Sequence, residues 1–302
     1  MNLSIKIGQT TFKNPVTVAS GTFAHAEKYY NLEEVKKLGA ITPKTVTFHA
    51  QKGNPPVRIV ETPSGMLNAI GIENPGIDEF IKTKLPALQK IGVPLIISIL
   101  GHDDEQFEKI VHKLNPCKGY EALELNLSCP NLGHKTLVAQ DAQATFRLVK
   151  KIKKIAKVPV LAKLAPNVTD ITVIAKAAEE AGADGISLIN TITGMVIDVE
   201  KRTSKLGNFT GGLSGPAIRP VAVSMVYQTF QKVKIPIVAM GGIMTANDAL
   251  EFILAGATMV AVGTANFINP RAPIEVLEGI KEYMVRHKVM DIKELIGAVR
   301  KK

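Results

Sequence analysis

Lys157-Val158-Pro159-Val160-Leu161-Ala162-Lys163 and, beyond a stretch of helical periodicity, Ala181-Gly182-Ala183-Asp184-Gly185-Ile186-Ser187-Leu188-Ile189-Asn190 decide the fold. Each contains a short run of buried-type residues that follows a helical pattern and opens on a punctuation signal. One signal is a β-branched residue plus proline, which ends a helix and starts a strand. It recurs at Val93-Pro94 before 95–100 and at Ile235-Pro236 before 237–240. The other is Gly-Ala, in which the glycine caps the preceding helix. It recurs at Gly39-Ala40 before 41–45 and at Gly256-Ala257 before 259–263. With 160–163, 185–190, 16–19 and 122–126 this makes eight runs, each followed by a segment of helical periodicity such as 141–156 or 170–181. Eight βα units predict an α/β chain closed into a (β/α)8 TIM barrel. An open doubly wound sheet would carry G-x-G-x-x-G after its first strand, and no such motif occurs. Residues 1–12, with a turn near Gly8-Gln9, read as a short N-terminal β-hairpin closing the bottom of the barrel. Two helices, 273–286 and 291–299, are expected after the eighth strand, and 1–302 reads as a single domain.

Composition narrows the function classes. Hydrophobic residues make up 46% of the chain and charged residues 21%, which excludes fibrous, collagenous and disulfide-scaffold classes. The longest apolar run, 93–100, is broken by Pro94 and Ser98 and falls short of the roughly 20 residues a membrane span needs. The N-terminus lacks the basic-then-apolar layout of a signal peptide, so a cytoplasmic location and no membrane partner are expected. The net charge of +10 raises nucleic acid as a partner. Its densest cluster, Lys150, Lys151, Lys153, Lys154 and Lys157, reads instead as the solvated face of a helix whose other face carries Leu148, Val149 and Ile152. No nucleic-acid partner is expected. The two cysteines, Cys117 and Cys129, and the six histidines match no metal spacing, so neither a metal nor an iron-sulfur cluster is expected on this chain. His102-Asp103-Asp104 reads as a helix cap.

Barrel enzymes place their chemistry at the C-terminal strand ends. Here those ends are polar: Ser20-Gly21, Lys44-Thr45, Ser98, Asn126 with Ser128-Cys129, Lys163, Asn190-Thr191, Gly241-Gly242 and Gly263-Thr264. The last two pairs would let backbone N–H groups approach a phosphate. The two lysines suit an anion or developing negative charge in the same mouth, and Lys163, closing a buried run, would be costly as an unpaired structural cation. Cys129, just past the fourth strand, is a candidate nucleophile or general base if neighbouring cations lower its pKa from about 8.5. His134 leaves a Cys/His hydrolase open. Asn68, Asn74, Asn126, Asn131 and Asn190 lie in or near strand-end loops, and amides that donate and accept suit a flat polar ring.

These stretches make the chain resemble the class 1 dihydroorotate dehydrogenases from near its start to about residue 270. The likeness rests on Asn14-Pro15 leading to Ala19-Ser20-Gly21, Pro43-Lys44-Thr45, Leu67-Asn68-Ala69-Ile70-Gly71-Ile72 with Asn74-Pro75-Gly76, and Glu124-Leu125-Asn126-Leu127-Ser128-Cys129-Pro130-Asn131. Lys163-Leu164, Pro166-Asn167-Val168, Ile189-Asn190-Thr191, Gly211-Gly212-Leu213-Ser214-Gly215 and the two glycine corners extend it. The pattern after Asn68 and Asn190-Thr191-Ile192-Thr193-Gly194-Met195 look like class 1B, although class 1B members usually have Asn where this chain has Ser98.

The resemblance implies FMN, with its phosphate at Gly241, Gly242, Gly263 and Thr264 and its ring near Ala19, Ser20, Lys44 and Lys163. Thr45, Ser98, Asn126, Ile189 and Gly215 complete the implied cofactor set. Dihydroorotate would be held by Lys44, Asn68, Asn126, Asn131, Asn190 and Thr191, with backbone groups of Ile70, Gly71 and Ile72. Cys129 would take the C5 proton as C6 delivers hydride to the flavin, with Lys163 and Lys44 as the other catalytic residues. Class 1B likeness further implies a homodimer and a partner subunit that binds FAD, an iron-sulfur cluster and NAD. A fumarate-dependent class 1A enzyme is the alternative, and dihydropyrimidine or tRNA-dihydrouridine flavin oxidoreductases are more distant ones.

Overall fold

The computed structural model describes residues 1–23, 31–127 and 137–301. The opening prolines both end helices and join the sheet. Pro94, Pro159 and Pro236 have no N–H, but their carbonyls accept the amides of Ile41, Leu123 and Ile186 in the adjoining strands, each at 2.9 Å. Eight parallel strands result: Val16–Val18, Val46–Thr47, Ile96–Leu100, Ala122–Asn126, Val160–Lys163, Gly185–Leu188, Ile237–Ala239 and Met259–Val262. The first pairs with the eighth, and from there the order runs back in sequence to the second. Between the first and second, the Gly39 N–H donates to the Val16 carbonyl at 2.9 Å. This curled sheet, covered by helices, is the expected (β/α)8 barrel.

The helices bury one stripe and wet the other. On Ala142–Ile155, Leu148, Val149 and Ile152 are buried, while Lys150 and Lys154 are exposed and Lys151 and Lys153 pair with Glu108 and Asp184. Asp103 caps Asp104–Leu114, its carboxylate accepting the Gln106 amide at 2.7 Å, as the sequence predicts. The N-terminal hairpin pairs Ile5–Ile7 with Thr10–Phe12. Its turn glycine, Gly8, lies against Pro159 and Asp184, just before the fifth and sixth barrel strands, so the hairpin closes the bottom. Ile5, Ile7 and Phe12 are buried there.

Three expectations need correction. The second run is interrupted: Ile41 makes an isolated bridge to Leu95 and pairing resumes only at Val46–Thr47, because Pro43 has no N–H to give. Gly182 and Gly256 follow their helices at positive φ, as caps do, but Gly39 serves close approach, since a Cβ there would meet the Asn14 carbonyl oxygen at 2.1 Å. Finally, 291–299 is no α-helix. A single 3-10 turn, Ile292–Leu295, ends before Gly297 at φ 72, and the Gly297 and Val299 amides donate to the Ile253 and Leu254 carbonyls of Ala246–Ala255. Those acceptors on another helix replace the i→i−4 bonds that an apolar helical spacing led us to expect.

The sequence reading also missed a four-stranded antiparallel sheet, Ile192–Gly194, Gly211–Ser214, Gly65–Asn68 and Ile59–Thr62 in spatial order. Its halves are insertions following the second and sixth barrel strands, so it stands at the C-terminal face. Leu67, Ala69 and Leu206 give it a small core of its own.

Candidate active site at the barrel mouth

Register brings the polar residues of the mouth together. Lys163 is flanked by Asn126 and Ser187, and Ser98 lies beside Glu124. Because side chains alternate along a strand, Glu124 and Asn126 share one face. Ser98, fully buried, meets Thr45 hydroxyl to hydroxyl at 3.0 Å. Lys163 is 4% exposed; its Nζ donates to Ser20 Oγ at 3.2 Å and pairs with Glu124 Oε1 at 3.4 Å. An ion pair is one reading of Lys163 from the sequence, and the fold identifies its partner as Glu124. Glu124 itself is 2% exposed, and its signal in the sequence was a carboxylate two residues before Asn126 in an otherwise apolar run.

Lys44 rises half-buried from the second strand region, close to Gly21, where a Cβ would sit 3.3 Å from its Nζ. Burial holds its pKa below the ordinary lysine range, the Lys163 charge adds to the effect, and Glu73 opposes it. Between the folded and unfolded values the unfolded chain binds more protons, so stability rises with pH there and the penalty is complete below the folded value. Lys44→Met is expected to melt about 2 °C higher than the parent near neutral pH, an advantage that shrinks as pH climbs toward the ordinary lysine value. Thermal unfolding across that range checks it; a constant difference would contradict this origin.

Glycines converge on the other side of the mouth. Gly241 and Gly242 have φ 130 and 81, and a Cβ would meet the Ala222 Cβ at 2.8 Å and the Gly215 carbonyl oxygen at 2.7 Å, respectively. Gly215 in turn faces the Thr264 methyl, Gly263 faces Ala19, and Thr264 Oγ1 donates to Ser214 Oγ at 2.8 Å. The backbone N–H groups of Gly241, Gly242, Gly263 and Thr264 have no hydrogen-bond partner among the described residues. Four half-buried donors, two of them on glycines where a Cβ would clash, suit the oxygens of a phosphate.

The antiparallel sheet brings up the remaining amides. Asn68 Nδ2 donates to the Gly212 carbonyl at 3.3 Å, and the other side of Gly212 is filled by Thr191, whose Oγ1 lies 2.0 Å from where a Cβ would be. Asn190 and Asn126 are half-buried and bonded; the Asn190 side chain accepts the Thr191 amide at 2.8 Å. Ile189 is buried, its N–H bonded to the Met240 carbonyl at 3.0 Å. Ile70, Gly71 and Ile72 form a turn held by Asn54, which bonds the Ile70 and Ala69 carbonyls, with Gly71 and Ile72 both at positive φ. Asn74 is a structural residue: its buried side chain bonds Thr47, Ile72 and Gly76. Cys129 and Asn131, with Ser128, Pro130 and His134, lie outside the described residues.

The sequence profile described as Dihydroorotate dehydrogenase matches residues 2–284. A relative from Lachnoclostridium phytofermentans is 50% identical over 301 residues, covering 99% of this chain and 100% of its own. Relatives from Thermoanaerobacter pseudethanolicus and Geotalea uraniireducens are 47% identical over 301 residues and 46% over 299, covering 99% of this chain and 99% and 98% of theirs. All three are named dihydroorotate dehydrogenase B (NAD(+)), catalytic subunit. With that profile and those identities along almost its whole length, the chain belongs to the dihydroorotate dehydrogenase family.

Proposed function

We propose that this chain is the catalytic subunit of an NAD-linked dihydroorotate dehydrogenase, a cytoplasmic barrel domain spanning 1–302 that oxidises (S)-dihydroorotate to orotate in pyrimidine biosynthesis. The observation that carries the reading is one mouth in which a lysine pair and a glycine cradle meet, in a chain about half identical to catalytic subunits of that name. The cradle suits FMN: its four free donors would hold the phosphate, with Gly241 and Gly242 leaving space for it, and Ala19, Ser20, Lys44, Thr45, Ser98, Asn126, Lys163, Ile189 and Gly215 would surround the rest. FMN, when bound, supplies the hydride acceptor.

This chain's residues do the remaining work. Cys129, as a thiolate, takes the proton from C5 as hydride leaves C6. Lys44 opposes the substrate carboxylate, and its suppressed pKa is restored toward normal by that anion. Asn68, Asn126, Asn131, Asn190 and Thr191, with backbone groups of Ile70, Gly71 and Ile72, orient the ring through its alternating donors and acceptors. Lys163 places a fixed positive charge where negative charge gathers. The electrons then pass to a partner subunit carrying FAD and an iron-sulfur cluster, and on to NAD; two copies of this chain form the core of the assembly.

Anaerobic mixing of the FMN-loaded chain with dihydroorotate should bleach the flavin absorbance. Steady turnover should require NAD plus the partner subunit; comparable turnover with fumarate by this chain alone would make it a class 1A-type enzyme instead. Gly242→Ala is expected to weaken FMN retention at least about tenfold, the cost of one hydrogen bond to a charged group. Fluorescence of released FMN on dilution measures this, and unchanged retention would move the phosphate elsewhere.

A further inference from the structure

We propose that Glu124 is a positioning residue that sets the electrostatics of the flavin site through Lys163, an inference that rests on the FMN reading above. Three observations lead to it. Glu124 is an ionisable side chain in the barrel interior with 2% exposure, on the strand that also bears Asn126. Its Oε1 lies 3.4 Å from Lys163 Nζ, and the pair is buried, with side-chain exposures of 5% and 3%. The Lys163 charge also reaches Lys44, where it suppresses protonation.

A buried carboxylate is costly to desolvate and persists only where a partner compensates it. Here Glu124 has the cation beside it, with Ser20 Oγ as the other described partner of Lys163 Nζ. The arrangement does two things. Geometrically, it ties the end of a long flexible side chain between the first and fourth strands, so the ammonium group stands in one place. Electrostatically, it offsets one of the two lysine charges at the mouth, leaving about one net positive charge to face an anionic ligand. Without Glu124, two uncompensated cations would share the mouth, and a negative charge on the reduced cofactor would be overstabilised.

Glu124→Gln keeps the shape and removes the charge. In the FMN-loaded protein, its two-electron reduction should become more favourable by at least about tenfold, a rise of about 30 mV in midpoint potential. Dye-equilibrated anaerobic reduction measures it. In the FMN-free protein, Glu124→Gln and Lys163→Met should each lower the melting temperature, the lysine replacement by about 6 °C or more, since it strands a buried carboxylate. The double variant Glu124→Gln/Lys163→Met should recover most of that loss, because neither charge is then left alone.

A potential in Glu124→Gln equal to that of the parent would overturn the proposal even if stability fell, for a purely structural role moves stability and not potential. Additive melting losses in the double variant would overturn it as well. Failure of the parent chain to take up FMN would sink the cofactor reading instead, and the melting cycle would still report on the pair.

Discussion

Replacing Cys129 by alanine is expected to leave FMN content unchanged and to slow flavin reduction by dihydroorotate at least about a hundredfold, the lower range for loss of a general base. A thiol is a base only as thiolate, and a free cysteine with a pKa of about 8.5 is mostly protonated at neutral pH. In the proposed site, the positive charges of Lys44 and Lys163 would favour the deprotonated form. The loss should therefore appear in the single-turnover rate, with little change in dihydroorotate affinity. Stopped-flow absorbance of the flavin distinguishes the two. Reduction within a few-fold of the parent would remove Cys129 from the chemistry and return the question to the amides around it.

Lys163→Ala should be the most damaging substitution for the protein as a whole. It leaves Glu124 buried without its cation, a situation that costs about 3–5 kcal/mol in comparable pairs. The same change takes a positive charge from the proposed cofactor site, so FMN retention should fall with stability. Denaturant unfolding of the FMN-free protein isolates the first effect and equilibrium dialysis the second. A variant that loses FMN but unfolds at the parent's midpoint would show that Glu124 gains no stability from Lys163.

The barrel was legible because its punctuation is physical. A proline after a helical stretch ends the helix, and each of Pro94, Pro159 and Pro236 does so ahead of a strand while lending its carbonyl to a neighbour. The strand-end residues were legible for the same reason: each apolar run stops at a polar group. Pairing was not, because it joins residues far apart in sequence. Lys163 and Glu124 are on different strands, and only their register reveals that a cation and an acid meet. The antiparallel sheet escaped notice because its strands are only three or four residues long, and because Ile59 is exposed, which blurs the alternation. The tail at 291–299 misled for the opposite reason, since Ile292, Leu295 and Ile296 satisfy helical spacing while Gly297 turns away.

The pairing of the first barrel strand with the eighth has a consequence for biogenesis. Val16 and Val18 find their partners in Val260 and Val262, and Asn2 bonds to Met290. Contacts of such high sequence separation form slowly. On the ribosome, the edge of the first strand stays open until the strand at Met259–Val262 has emerged, about 240 residues later, leaving it exposed to mispairing throughout that interval.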